Sequence, residues 1–185
     1  MIDHKNKIIF VHIPRTGGSS LEIGLIGREW STVDNSTKHM TASATKNLYK
    51  KYWDNYIKIS IIRNPFDRAI SLFTCAHRTV YCKPYKPDFE YFLQHFKPAG
   101  HEAQEIQCCN ILNESMDYIF NTATLQNDFN NFCIKENINA KQLVFDGKTP
   151  DRKPYQQYYN NHTRQLVSEM WKDDIREYGF EFEEE

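Results

Sequence analysis

The sequence lacks several features that would assign it quickly to a class of protein. It has no run of 18 or more apolar residues and no charged-then-apolar leader at its start, so we expect a cytoplasmic protein without a membrane anchor. Its formal net charge is −1, which gives no general attraction to nucleic acid or to anionic lipid. We therefore expect no nucleic-acid partner and no membrane insertion. Any polyanionic ligand must be bound by locally placed arginines and backbone amides.

The cysteines also form no recognisable framework. There are five, an odd number, and no CxxC pair occurs among Cys75, Cys82, Cys108, Cys109 and Cys133. Unpaired thiols in a reducing compartment are the expected state. Clustered Cys and His ligands at zinc-site spacing are missing too, so we expect no metal.

What the sequence does contain is typical of a globular protein of one domain, spanning residues 1–185. Short apolar runs that predict buried strands alternate with segments whose apolar residues recur at helical spacing. The predicted strands are Lys7–Ile13, Tyr56–Ile62 and Tyr118–Ala123. The predicted helices are Ser19–Ile26, Thr41–Trp53, Asn64–Phe73, Phe89–Phe96, Glu102–Leu112, Leu125–Glu136 and a long closing helix over Tyr155–Trp171. This alternation predicts an α/β fold, a three-layer sandwich around a mainly parallel sheet.

The segment His12–Ser20, HIPRTGGSS, joins the first predicted strand to the first helix. Its glycines permit a tight turn, and the unpaired amides at the start of a helix favour phosphate or sulfate. Arg15 adds a full charge, and the two serines add hydroxyl donors. The alternative is a turn that only caps the helix.

A phosphate loop of the GxxxxGK[ST] type is absent, because Gly17-Gly18 is followed by Ser19 and the cation Arg15 precedes the glycines. That absence argues against ATP hydrolysis with magnesium. A kinase with a degenerate phosphate loop remains the rival reading.

A second candidate anion site, RNPFDRAISLF, follows the second predicted strand. Arg63 stands at the carboxyl end of that strand, the edge where open α/β sheets bind ligands. Ser71 lies two turns into the helix, where serine gains nothing from helix propensity. Arg63 could instead be a surface ion-pair residue and Ser71 a filler, and Arg68 is interpreted as a surface or helix-packing cation.

These two segments together resemble sulfotransferases that use 3′-phosphoadenosine 5′-phosphosulfate (PAPS), particularly the branch that acts on carbohydrates. The resemblance implies a fold like that of P-loop-containing nucleotide hydrolases and PAPS as the donor, with PAP as product. It implies that the backbone of Thr16–Ser20 (Thr16, Gly17, Gly18, Ser19 and Ser20) holds the 5′-phosphate and that Arg63 and Ser71 bind the 3′-phosphate. It also implies that the cation before Thr16, here Arg15, contacts the cofactor and stabilises the bridging oxygen as the bond to sulfur breaks. The family usually has lysine at this position; arginine keeps the charge but cannot donate a proton as lysine can.

The resemblance also indicates a general base. His39, in the segment KHMTA, matches the position of a histidine that serves as base in some polysaccharide sulfotransferases, and imidazole titrates near neutral pH. His39 could otherwise be a packing or capping residue, and His12 is interpreted as structural. The basic loop with Lys148, Arg152 and Lys153 could fold over the cofactor or be solvated. Phe66, Phe145 and Tyr155 are candidates for stacking on adenine.

The expected acceptor is a hydroxyl compound, favoured to be a sugar or glycan because the loop at His12–Ser20 and the HMTA segment resemble the carbohydrate branch. Lipid, peptide and small-molecule hydroxyls stay open, and so does a module that binds PAP or PAPS without transfer. The oligomeric state is not indicated by the sequence.

Overall fold

The fold was obtained as a computed structural model, which describes residues 1–75, 82, 88–97, 106–144 and 152–184. Within these residues the strands form a four-stranded sheet in the order β1-β2-β3-β4. The strands are β1 (Ile2–Asp3), β2 (Ile8–Val11), β3 (Ile57–Ile62) and β4 (Tyr118–Asn121). The three longer strands are mutually parallel, and β1 pairs with β2 in the antiparallel sense. The sequence did not predict β1, because two residues give no detectable alternation.

The register places the functional segments side by side. Phe10 is opposite Ile59, and Ile59 is opposite Tyr118, so β2, β3 and β4 end at the same edge of the sheet. The residues that follow these strands, at His12, Arg63 and Thr122, therefore leave the sheet as neighbours. Ligands of open parallel sheets bind at this carboxyl edge.

Helices connect the strands and cover the sheet. They are α1 (Gly18–Ile26), α2 (Ser31–Asp34), α3 (Ala42–Leu48), α4 (Lys50–Trp53), α5 (Pro65–Thr74), α6 (Phe89–His95), α7 (Cys108–Ile111), α8 (Leu125–Lys135), α9 (Asn161–Met170) and α10 (Lys172–Tyr178). Short 3₁₀ turns lie at Asn35–Thr37 and Tyr155–Tyr158.

The two faces of the sheet bury different side chains, as the alternation of a strand requires. Phe10 packs with Leu21 of α1 and Phe129 of α8 on one face. Ile9 packs with Ala42 and Trp53, from α3 and α4, on the other. A further apolar cluster joins α5, α6 and α9. The three-layer α/β prediction is confirmed.

Three helix predictions were wrong in their extent. The helix predicted over Thr41–Trp53 is divided at Tyr49, whose φ of −105° and ψ of 26° interrupt the α-helical course. The helix predicted over Glu102–Leu112 begins at Cys108 in the described part, after Gln107 in an extended conformation.

The closing helix begins at Asn161 instead of Tyr155. Asn160 caps it, because its side chain accepts a hydrogen bond from the amide of Thr163 while the Thr163 hydroxyl accepts one from the amide of Asn160. Because the N-cap Asn160 is extended, the α-helix cannot continue back through it. The residues Tyr155–Tyr158 before it form a 3₁₀ turn, although their aromatic side chains have helical spacing.

Cys75, Cys108, Cys109 and Cys133 are free thiols, in agreement with the prediction from the sequence. Among the described helices, none combines the length and apolar composition needed to cross a bilayer.

Candidate active site

A cavity of about 1340 Å³ opens at the carboxyl edge of the sheet. It is large enough for a nucleotide together with a second ligand. The predicted site residues that line it are Arg15, Gly17, Gly18, Ser19, Ser20, His39, Arg63, Ser71 and Arg152. The two candidate anion segments are therefore parts of one site. Thr16 lies beneath this surface, and Lys148 lies outside the described residues.

The loop after β2 has a conformation suited to anions. Arg15 and Gly17 have positive φ angles of 66° and 92°, on either side of Thr16. Such alternation is typical of backbone nests, in which successive amides converge on an anion. Gly17 is also the N-cap of α1, so the positive end of that helix faces the loop. No residue with a side chain adopts the Gly17 conformation easily.

Two threonines fix the loop from below. The buried Thr16 hydroxyl donates to the carbonyl of Ile13 at 2.9 Å. The Thr122 hydroxyl, just beyond β4, donates to the carbonyl of Thr16 at 2.7 Å. The loop is thus tied to the ends of two strands before any ligand binds.

Arginines converge on the start of α5. Arg15 Nε donates to Ser71 Oγ at 3.1 Å, and Arg63 donates from Nη1 to the carbonyl of Arg15 at 3.0 Å. Asp67 bridges two of the cations, because one carboxylate oxygen accepts from Arg63 Nε at 2.6 Å and the other pairs with Arg152. Three arginines and one carboxylate leave an excess of positive charge around the buried Ser71.

In this cluster the positive charge is not fully balanced, and one hydrogen-bond donor has no acceptor. Burial alone would raise the pKa of Asp67, yet Arg63 and Arg152 hold it below its usual range, so Asp67 is ionised. Arg152 Nε is buried and has no hydrogen-bond partner among the described residues. Buried donors are nearly always satisfied, so a missing acceptor is indicated here.

His39 lies on the other side of the loop. Its Nδ1 is 3.1 Å from the backbone carbonyl of His12, which can only accept, so Nδ1 carries the proton and Nε2 is the basic nitrogen. Burial lowers the pKa of His39 to about 3, and the charge of Lys38 acts in the same direction. The imidazole is therefore neutral at neutral pH, with Nε2 unprotonated.

A protein-family model described as "Sulfotransferase family" matches residues 1–181. The chain belongs to the sulfotransferase family. Membership confirms the prediction of a PAPS-dependent sulfotransferase and disfavours the rival kinase.

Among solved structures, the crystal structure of mouse sulfotransferase SULT7A1 complexed with PAP is similar in fold, with a TM-score of 0.53 and 15% identity. The match covers 95% of this chain and 87% of the mouse chain. No individual curated protein matches the sequence significantly. In the part of this sulfotransferase that the structure describes, no group of three or more His, Cys, Asp or Glu side chains is placed to hold a metal ion.

Sequence reasoning missed several residues of the sulfotransferase site. Lys38 is buried and its Nζ lies 2.9 Å from Glu29 and 3.4 Å from Ser19 Oγ. Glu22 is fully buried in α1, where a charge on the apolar face of a helix is the signal that could have found it. Asp67 could have been found from its spacing of four residues from Arg63.

The other residues predicted from the sequence lie partly in the core and partly at the cavity. Arg68 is a buried helix-packing cation, not a surface one, and donates to the carbonyls of Pro14 and Ile106. Tyr155 lines the cavity, whereas Phe66 packs in the core against Tyr159 and Phe182. Lys153 is exposed at the cavity, and Phe145 lies outside the described residues.

Proposed function

We propose that PAPS binds across the cavity, with its 5′-phosphosulfate on the loop after β2 and its 3′-phosphate at the arginine cluster. The observation that carries this proposal is the cluster around Ser71, with Arg152 Nε as a buried donor that lacks an acceptor. A phosphate there would accept hydrogen bonds from the guanidinium groups and from the Ser71 hydroxyl. The loop amides from Thr16 to Ser20 and the start of α1 would hold the other end.

PAPS supplies an activated sulfuryl group, and the residues of the chain bind, orient and move one proton. His39 accepts the proton of the acceptor hydroxyl at Nε2 while the acceptor oxygen attacks sulfur. This role fits the hydrogen bond from Nδ1 to His12, which fixes the tautomer. General bases typically contribute about 10²–10⁴-fold to a rate.

Charge builds on the departing phosphate as its bond to sulfur breaks. The loop amides, the N-terminus of α1 and the Ser19 hydroxyl stabilise this charge without reorganisation. Arg15 contributes its fixed charge from the same loop. Because Arg15 contacts Ser71, it also links the two phosphate sites.

The acceptor in this proposal is a carbohydrate hydroxyl. Neutral polar side chains line the cavity, at Ser31 and Asn35 in the segment between α1 and α3 and at Gln126 and Asn127 in α8. Hydroxyl and amide groups of this kind can both donate to and accept from sugar hydroxyls. A cytoplasmic location stays a prediction.

The test is transfer from PAPS to a panel of neutral mono- and oligosaccharides, with the sulfated sugar detected by mass spectrometry. We expect a sulfated product from the wild type and at least about 100-fold slower transfer by His39→Ala, with PAP affinity retained. His162→Ala, which removes an exposed histidine, is the matched control and should transfer normally. PAP binding without transfer to any hydroxyl acceptor would indicate a binding module instead. Normal transfer by His39→Ala would refute the base assignment.

A further inference from the structure

A buried pair of ionisable residues, His12 in the wall of the cavity and Glu22 next to it, has no part in the chemistry proposed above. His12 follows β2 and Glu22 lies in α1, with exposed fractions of 5% and 0%. His12 Nδ1 is 2.6 Å from Glu22 Oε1. Glu22 Oε2 accepts from the amide of Trp30 at 2.9 Å and lies 3.4 Å from Lys38 Nζ. Both carboxylate oxygens are therefore held in place.

The ring of His12 is fixed by this carboxylate. Burial alone would raise the pKa of Glu22, but the hydrogen bond from His12 and the neighbouring donors hold it at about 2, so Glu22 is ionised. An ionised carboxylate only accepts, which places the proton of His12 on Nδ1 and fixes the plane of the imidazole.

His12 touches both halves of the proposed reaction centre. Its ring lies against the loop, because a Cβ added at Gly18 would be only 2.3 Å from His12 Nε2. Its backbone carbonyl accepts from His39 Nδ1 at 3.1 Å, and the two imidazole rings meet edge to face with centroids 4.6 Å apart. A rotation of the His12 ring would therefore disturb the loop and the base together.

A buried carboxylate paired with a histidine is not needed for packing alone. Burying a carboxylate is unfavourable, and an apolar pair of similar volume often gives the same stability. An apolar pair could not, however, fix the orientation of a ring that contacts both Gly18 and His39.

We propose that Glu22 is a positioning residue, which acts through His12 to hold the base His39 in its reactive orientation. The inference rests on the proposed function, since it assigns His39 as the base. Glu22 itself touches neither donor nor acceptor in this account.

The main test is Glu22→Gln, which keeps the size and an acceptor oxygen but removes the charge. We expect kcat to fall about 10–100-fold, the usual effect of removing an outer partner that orients a working residue, while PAP affinity changes less than about 3-fold. Asp174→Asn is the matched control, because it also neutralises a fully buried carboxylate that accepts two hydrogen bonds. It should leave kcat unchanged.

A double variant distinguishes positioning from general destabilisation. Because Glu22 acts through His39, adding Glu22→Gln to His39→Ala should produce no further loss of kcat. Losses that multiply in the double variant would overturn the proposal. If Glu22→Gln does not fold, Glu22→Asp, which retains the charge but withdraws it by one methylene, takes its place in the same comparison.

Nitrogen NMR of the imidazoles in the cofactor-free protein gives a readout independent of turnover. We expect His12 and His39 each to show one tautomer protonated at Nδ1 in the wild type. In Glu22→Gln we expect a mixture of tautomers at His12 and shifted ring-nitrogen signals at His39, whose ring packs against that of His12. His39 ring signals identical in the variant and the wild type would overturn the positioning role. Failure of the wild type to bind PAP or transfer sulfate would instead refute the proposed function, whatever the NMR spectra show.

Discussion

The hydrogen bond from His39 to the carbonyl of His12 determines which ring nitrogen can act as base. The sequence indicated His39 through its resemblance to a family segment, but it could not indicate the tautomer. The tautomer depends on a contact between residues 27 positions apart, which only the fold brings together.

The lowered pKa of His39 gives a prediction for the pH profile. With a pKa of about 3 in the free enzyme, His39 is already deprotonated at pH 5, so kcat/KM for PAPS should change less than about 2-fold between pH 5 and 7 from this group. Steady-state rates across this range, in a buffer series of constant ionic strength, provide the measurement. An acid limb with a midpoint near 6.5 that disappears in His39→Gln would contradict the assigned environment.

The unpartnered Nε of Arg152 gives a second prediction at the scale of a residue. Arg152→Lys keeps the charge but removes this buried donor, so PAP affinity should fall about 10-fold, the cost of one charge-assisted hydrogen bond. Arg176→Lys is the control, since Arg176 is exposed and pairs with Asp173 on its own helix. Equal affinities of Arg152→Lys and wild type, measured by calorimetry, would show that Arg152 does not bind the ligand.

At the scale of elements, the strand–loop–helix unit from β2 to α1 was predicted closely because its signals are local. An apolar β-branched run, two glycines and a resumed helical pattern need no tertiary information. Helices α4 and α9 were predicted with wrong bounds. The apolar spacing predicted continuous helices, but the backbone geometry at Tyr49 and the cap at Asn160 interrupt them. The sequence interpretation started the closing helix at Tyr155 because the aromatic residues there recur at helical spacing, but the cap at Asn160 determines where α9 begins.

The close contact between the loop and β2 can be tested at Gly18. A Cβ in Gly18→Ala would lie within 2.3–2.7 Å of three atoms of the His12 ring, so the ring must move and PAP affinity should fall at least about 10-fold. In Gly18→Ala/His12→Ala the space is vacated, and PAP affinity should recover relative to Gly18→Ala. Circular dichroism establishes that each variant is folded. Equal PAP affinities of the two variants would contradict the proposed contact.

For the whole molecule, parallel pairing places three strand ends at one edge, and this explains why two distant anion segments form one cavity. The mainly parallel sheet and the three layers could be inferred from the alternation of strands and helices. The buried network of Glu22, His12 and Lys38 could not, because its partners come from separate elements and leave no periodic pattern in the sequence.

The neutral buried histidines should make the stability of the whole protein depend on pH. Burial lowers the pKa of His39 from 6.5 to about 3, and that of His12 in the same direction, so the unfolded chain binds more protons between these values. The free energy of unfolding should therefore decrease as the pH falls from 6.5 towards 3. Urea denaturation at pH 7 and pH 5 measures this decrease, and His39→Gln should reduce it. A decrease as large in His39→Gln as in the wild type and in the control His162→Gln would contradict the account.

The most direct measurement of the central claim is calorimetric titration of the protein with PAP and with AMP, in the wild type and in Arg63→Ala. If the arginine cluster binds the 3′-phosphate, PAP should bind at least about 100-fold more tightly than AMP without added metal, and Arg63→Ala should remove most of that difference. Equal affinities for PAP and AMP, or a preference for PAP that survives in Arg63→Ala, would contradict the assignment of the cluster around Ser71 as the 3′-phosphate site.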